Sequence, residues 1–300
     1  MKSASRSALW GPMRLPFLLL NPACVALGTA TALYSARSIN YWHLLLVFFG
    51  AVCAHISVNA LNEYHDFKSG LDFHTERTPF SGGSGTLPQN PDKAHVARLT
   101  GLTGFGITAL IGLYFLSARG IGLLPLGLAG LLLLVAYTKW LTRNPFFCLI
   151  APGLGFGTCM VMGSHFALTG TYSWTAFTAS LVPFFLVSDL LLLNQFPDVT
   201  ADQSIGRRHL PIVIGRKASA LFYSGLLLGA YAAIIVGWLL GFFPIHGLLA
   251  LISAVLAVPT ILGVVRFADD VPRLLPYMGM NVILNIATPI LLAIGLLLGR

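Results

Sequence analysis

The sequence predicts an all-α, polytopic membrane protein with nine transmembrane helices. Three observations predict it. First, 56% of the 300 residues are hydrophobic and only 9% are charged, where a soluble domain carries about 25% charged residues. Second, nine apolar stretches approach the roughly 20 residues that a helix needs to cross a bilayer. Third, the basic residues gather in alternate loops. Hydrocarbon offers backbone groups no hydrogen-bond partners, so stretches of this length must satisfy their own and are read as helices. No soluble domain fits between any two of them, and residues 1–300 read as one transmembrane domain.

The first span, Leu15–Tyr34, follows Lys2 and Arg6. It is too long for the apolar core of a signal peptide and is interrupted by Asn21-Pro22, so it is expected to be retained. Trp42–Leu61 runs directly into an acidic segment. Val96–Ala118 and Gly122–Thr138 are separated only by Arg119, Gly120 and Ile121. Phe146–Leu168 and Trp174–Leu193 follow, the latter ending in a second acidic segment. Ala218–Gly241, Ile245–Val265 and Pro276–Leu298 complete the set. Glycine and proline punctuate several spans, as membrane helices tolerate.

Nine spans place Lys2, Arg6, Arg14, Lys68, Arg77, Lys93, Arg98, Lys139, Arg143, Arg207, Arg208, Arg216, Lys217, Arg266 and Arg273 on one side. Arg37, Arg119 and Arg300 fall on the other. Fifteen against three makes the first side, with the N-terminus, cytoplasmic. The net charge of +8 is therefore a topology signal. No aromatic-rich basic module accompanies it, and no nucleic-acid partner is expected. The four cysteines lie in apolar stretches without CxxC pairing and read as packing residues.

Both acidic segments fall on the cytoplasmic side. NEYHDFKSGLD, residues 62–72, carries Asn62, Glu63, Tyr64, Asp66, Lys68 and Asp72. NQFPDVTAD, residues 194–202, carries Asn194, Asp198 and Asp202. A carboxylate in hydrocarbon costs about 3 kcal/mol or more, so these need water or cations. Asn62 and Asp66 share a helical face, and Asn194, Asp198 and Asp202 repeat that four-residue spacing. Two such faces brought together repel, by roughly 4 kcal/mol for unit charges about 4 Å apart. Mg2+, which takes one or two carboxylates together with substrate phosphates, is the natural remedy. The pattern points to a site for a phosphate-bearing substrate at a membrane face.

Neighbouring features have two readings each. SGGSG, residues 81–85, either cradles phosphate with backbone N–H groups or is a flexible linker. Arg207 and Arg208 either grip phosphate oxygens or anchor topology. Tyr137 and Lys139, ending the fourth span, either reach a diphosphate or sit as interfacial anchors. Asp189, inside the sixth span, is either functional or a neutral carboxyl packing two helices. Pro197 removes an N–H and clashes with the carbonyl of Leu193, predicting a kink or break there.

The two acidic segments together resemble the paired Asp-rich motifs of the UbiA superfamily of intramembrane aromatic prenyltransferases. That family has nine transmembrane helices. The placing of Asn62, Tyr64, Asp66, Gly70 and Asp72, and of Asp198, Asp202, Gly206, Arg207, Leu210 and Gly215, resembles the menaquinone branch, the 1,4-dihydroxy-2-naphthoate prenyltransferases. RLPFLLLNP, residues 14–22, resembles the first helix of that branch. Two positions depart from its pattern: Glu63 stands for Asp, and Pro197 for Arg.

The resemblance implies a UbiA-like fold in a bacterial or archaeal cytoplasmic membrane. It implies Mg2+-dependent transfer of a polyprenyl group from an isoprenyl diphosphate to an aromatic acceptor, with the site cytoplasmic. Asp66, Asp72, Asp198 and Asp202 would be catalytic and, with Glu63, would hold the metal. Asn62, Lys68, Arg77, Lys139, Asn194, Arg207 and Arg208 would meet the diphosphate, and Tyr64, Tyr137 and Asp189 are further candidates. Other acceptors within the superfamily are 4-hydroxybenzoate, haem and lipid. From another class, a cation-coupled transporter would line a path with acids. Here the acids gather at one face and only Asp189 lies mid-span. A CDP-alcohol phosphotransferase would need a DGxxAR-type motif, which the sequence lacks.

Cysteines introduced at Ser81 and Ser204, in a background without the native four, are expected to be labelled from the same side of the membrane. Labelling from opposite sides would overturn the nine-span topology.

Overall fold

A computed structural model describes residues 10–36 and 38–300; Lys2, Arg6 and Arg37 lie outside the described residues. Among the described residues there is no strand. Nine helical segments among the described residues are long and apolar enough to span a bilayer. They are α1 (Gly11–Ser35), α2 (Tyr41–Ser69), α3 (Pro91–Arg119), α4 (Ile121–Lys139), α5 (Pro145–Thr169), α6 (Trp174–Asn194), α7 (Arg216–Leu239), α8 (Ile245–Phe267) and α9 (Val271–Leu298). The chain is an integral membrane protein.

Local chemistry sets the ends. Asn40 Oδ1 accepts from the backbone N–H groups of Trp42 and His43 to start α2. Asn144 does the same for α5, and Ser173 Oγ accepts from Ala176 N for α6. These are the N-cap side chains that satisfy orphan helix donors. Gly70, at φ 82°, stops α2 in the left-handed region that a Cβ disfavours. No breaker precedes it, so α2 runs eight residues past the apolar stretch. The first acidic segment therefore stands largely on a rigid helix instead of in a loop.

The second segment differs in the opposite sense. α6 ends at Asn194, the chain turns through residues 195–198 with Pro197 in the turn, and a short helix Val199–Ser204 follows. Asn194, Asp198 and Asp202 do not share one continuous helical face.

The bundle is uneven. α1, α6, α7, α8 and α9 bury the main core, with Leu27, Leu186, Leu193, Tyr223, Leu227 and Ile234 all inaccessible. α5 joins α6 by close backbone approach: a Cβ on Gly157 would fall 2.5 Å from Phe184 N and 2.6 Å from Ser180 O. Small residues serve membrane helices this way. By contrast, α4 buries no residue completely. α2, α3, α4 and α5 enclose a cavity, and a second, smaller apolar cluster of Val25, Val47, Phe115, Leu123, Phe166 and Ala167 lies where the start of α2 meets the ends of α3 and α5.

Gly157→Leu is expected to push α5 from α6 and cost about 1–3 kcal/mol or more, seen as a lower thermal midpoint in detergent. Gly106→Leu, where nothing lies within 4 Å of the added Cβ, should leave the midpoint unchanged or raised. Equal midpoints for the two variants would contradict the close-packing role.

Candidate active site

The end of α2, the turn after α6 and the glycine-rich loop converge on one cavity of about 420 Å³. Its mouth is polar, lined by Asn62, Asp66, Asp72, Asn194, Asp198, Asp202 and Arg207. Below, the lining is mainly apolar, with His55, Thr108 and Ser164 set into it, and comes mostly from α2, α3, α4 and α5 in stripes of three- and four-residue spacing.

Arg207 joins the two acidic segments. Its guanidinium is ion-paired with Asp66 on α2 and, at 2.7 Å, with Asp202 Oδ1. Asp202 Oδ2 is hydrogen-bonded to His209 Nε2 at 2.9 Å. Burial alone would push the Asp202 carboxyl up, yet His209 and Arg207 outweigh it and hold it below the usual carboxylate range. The Arg207 guanidinium is likewise held above its ordinary value: burial opposes its charge, and Asp66 and Asp202 more than compensate.

Asp72 and Asp198 are different. Burial, reinforced by Glu63 and Asp66, pushes Asp72 up to about 7. Burial and Asp202 push Asp198 up to about 7, against the opposing pull of the nearby Ser81 hydroxyl and Gly82 backbone. Asp72 Oδ2, Asn194 Oδ1 and Asp198 Oδ1 are buried and have no hydrogen-bond partner among the described residues. These are hard oxygen donors at one mouth, the set that suits Mg2+. No three His, Cys, Asp or Glu side chains among the described residues are already gathered at metal-binding spacing. Arg207, not a metal cluster, bridges the segments in this arrangement.

Glu63 is placed apart from the cavity lining. It is inaccessible, and both oxygens are engaged: Oε1 accepts from Arg14 Nε at 2.8 Å and Ser84 N at 2.6 Å, Oε2 from Ser84 Oγ at 2.9 Å. The SGGSG loop is thus folded over the first segment. One backbone amide of it points at a carboxylate of the protein itself.

The chain matches the UbiA prenyltransferase family over residues 20–283. It belongs to that family. As a member it is a prenyltransferase. It is 27% identical over 243 residues, covering 80% of this chain and 75% of the other, to 1,4-dihydroxy-2-naphthoate octaprenyltransferase of Bacillus subtilis (strain 168). The fold is similar to the apo structure of a UbiA homologue from Aeropyrum pernix K1. The TM-score is 0.67 at 17% identity, covering 94% of this chain and 98% of that one. It is also similar to a UbiA homologue from Archaeoglobus fulgidus bound to DMAPP and Mg2+. There the TM-score is 0.61 at 10% identity, covering 95% and 99%.

In this UbiA-family chain the other sequence candidates scatter. Tyr137 lines the cavity. Tyr64 stacks under the Arg98 guanidinium at 5.9 Å and Lys139 reaches over Trp140 at 5.3 Å, neither in the lining. Lys68, Arg77 and Arg208 are exposed and also outside it, although Arg77 lies near enough to Asp72 to favour its ionised form. Asp189 is inaccessible and accepts from Asn281 Nδ2 of α9 at 3.0 Å, packing two helices.

The sequence reading passed over Arg14 and His209. Arg14 lines the mouth, holds Glu63, and donates to Asn62 Oδ1 at 3.2 Å. It is also the one non-glycine residue at positive φ, 49°, among the described residues. Such backbone costs about 1–3 kcal/mol and persists where surroundings enforce it. Asn59 Nδ2, donating to Met13 O at 3.0 Å, helps enforce it. The available signal was a lone arginine opening an apolar span, which the charge count absorbed as topology.

Asp72 and Asp198 bind protons in the folded protein up to about pH 7 but in the unfolded chain only to about pH 4. Their contribution to stability is present below about pH 4 and lost as pH rises to about 7. Asp202, shifted the other way, changes only at acid pH and leaves this window alone. The EDTA-treated protein should therefore lose thermal stability between about pH 4 and 7. The double variant Asp72→Asn, Asp198→Asn should flatten that decline; an unaltered slope in the double variant would contradict the assignment.

Proposed function

We propose that the protein transfers a polyprenyl group from an isoprenyl diphosphate to an aromatic precursor of a quinone, 1,4-dihydroxy-2-naphthoate or a close relative, with Mg2+ as cofactor. The observation that carries this reading is one cavity with an acidic mouth and an apolar depth. A diphosphate and its hydrocarbon tail need those two environments in that order. The acceptor assignment rests on the spacing of the two motifs and on the similarity to the Bacillus subtilis octaprenyltransferase. The lysine and arginine asymmetry supports a mouth on the cytoplasmic face, and the family resemblance supports a bacterial or archaeal cytoplasmic membrane.

Asp66, Asp72, Asp198 and Asp202, with Asn194, would hold the cation through their oxygens. When bound, Mg2+ offsets the charge that grows on the departing diphosphate. Arg207 is placed to turn from its carboxylates toward diphosphate oxygens, a planar fork suited to bidentate contact. Asn62 donates to Thr138 Oγ1 at 3.2 Å and sets the boundary between the polar mouth and the apolar depth. The apolar walls exclude water from the allylic carbon as its bond to oxygen breaks, so the aromatic ring is the nucleophile that meets it.

Purified protein incubated with Mg2+, prenyl diphosphates and candidate acceptors should yield a prenylated ring identifiable by mass spectrometry. Asp66→Ala and Asp198→Ala should each fall below about a tenth of wild-type activity while still inserting into the membrane, because unpaired anionic diphosphate is poorly bound without the cation. Activity retained in either variant, or unaffected by EDTA, would defeat the two-motif site.

A further inference from the structure

The apolar part of the cavity has a floor. Val47, Phe115, Leu123 and Ala167 line its deep end and belong to the smaller buried cluster. Beneath them Arg119 clamps the end of α5: Nε donates to Ala167 O at 2.8 Å and Nη2 to Leu168 O at 2.8 Å. The same Nη2 lies 2.9 Å from His43 Nδ1 on α2. α2, α3 and α5 are thus tied together below the floor, so the cavity is blind at that end.

Its depth follows from helix geometry. Thr138 on α4 is level with Asn62 on α2, the two being hydrogen-bonded. Fifteen residues separate Asn62 from Val47, about 22 Å at 1.5 Å per residue. Each isoprene unit adds four chain bonds of about 1.5 Å, or about 5 Å when extended. A tail of about four units therefore reaches the floor from the mouth.

Two glycines keep that depth open. On α4, Leu123, Gly127, Gly130 and Leu134 face the cavity at helical spacing. A Cβ at Gly127 would meet nothing within 4 Å, and Gly127 stands eleven residues, about 16 Å, below Thr138. On α3, Gly112 lines the cavity between Thr108 and Phe115, again with nothing within 4 Å of an added Cβ. Thr108 Oγ1 lies 3.4 Å from Gly50 O, which puts Gly112 about one turn deeper, near the floor. At the other end of the same cavity, Asp72 and Asn194, 6% and 9% exposed, present unpartnered oxygens to a polar ligand.

We infer that this cavity gauges the length of an isoprenyl tail, and that Gly127 and Gly112 are the specificity-determining positions at about three units and about five. This rests on the prenyl diphosphate reading of the mouth and adds which tails fit below it. A side chain at Gly127 blocks about the lowest quarter of the cavity. A side chain at Gly112 fills only the floor, where tails longer than four units must bend.

The test compares wild type, Gly127→Phe and Gly112→Phe with prenyl diphosphates of two, four and six units. It reads kcat/KM for ring prenylation and, separately, thermal stabilisation by each diphosphate with Mg2+. Gly127→Phe should keep the two-unit substrate within about threefold of wild type and lose at least tenfold on four and six units. Gly112→Phe should keep two and four units and lose at least tenfold on six, each compared with wild type on the same tail. Use of the two-unit substrate certifies that a variant is folded; where phenylalanine prevents folding, Gly127→Leu and Gly112→Leu serve with the same expected order. Equal losses on all tails, or none, would overturn the gauge. If wild type prenylates none of the acceptors, the function reading fails by itself, and the length-ordered stabilisation still decides the gauge. A flat stabilisation series across the three tails then overturns it.

Discussion

The Arg207 guanidinium holds Asp66 and Asp202 at once, across a sequence separation of 141 residues on the α2 side. Without a cation between them, two carboxylates in a poorly hydrated mouth would drive α2 and the α6 turn apart. One planar fork offsets that repulsion and fixes the distance between the halves of the bundle. Removing one partner from such a buried set typically costs about 3–5 kcal/mol, because the remaining charge is left uncompensated. This junction at the top and the Arg119 clamp at the bottom tie α2 to its neighbours at the two ends of the cavity.

A second lock works alongside it and explains a departure from the family pattern. Glu63 is longer than the usual Asp by one methylene, and its carboxylate meets Arg14 and Ser84 together. The first acidic segment thus divides its labour by helical phase. Asn62 and Asp66 line the cavity, while Glu63 points to α1 and pins the glycine-rich loop over the mouth. The loop in turn lies beside Asp198 through Ser81 and Gly82, which brings the two segments under one cover. A charged motif in this chain is therefore part scaffold and part site.

The uneven packing has the same logic. The helices that hold the shape, α7 to α9, interdigitate with α1 and α6 around Tyr223, Leu227 and Leu186, while α1 and α6 also reach the cavity through Arg14 and Asn194. α4, with no fully buried residue, trades packing for a face open to the cavity. α5 contributes a nine-residue π-helical stretch, Leu154–Met162, beside that cavity, the kind of irregular turn that recurs at functional sites. Gly153 and Gly157 on its opposite face keep it close to α6.

Much of this was legible in the chain itself. Nine apolar stretches became nine spans because hydrocarbon leaves the backbone no alternative to a helix. The family was legible in Asn62, Asp66, Asp72, Asp198 and Asp202 as a resemblance to its paired Asp-rich motifs. Three-dimensional contacts decided the rest. Spacing could not tell that Glu63 turns toward Arg14, because a helical phase of one residue acquires meaning only from its neighbours. Charge counting grouped Arg207 with Arg208, and only the fold aims the first inward and leaves the second in water. Arg14 was hidden among topology charges for the same reason. A sequence determines which residues are too polar for lipid, through transfer energies that each side chain carries alone. Which of them meet is set by the packing of helices far apart in the chain, and that is a property of the assembled bundle.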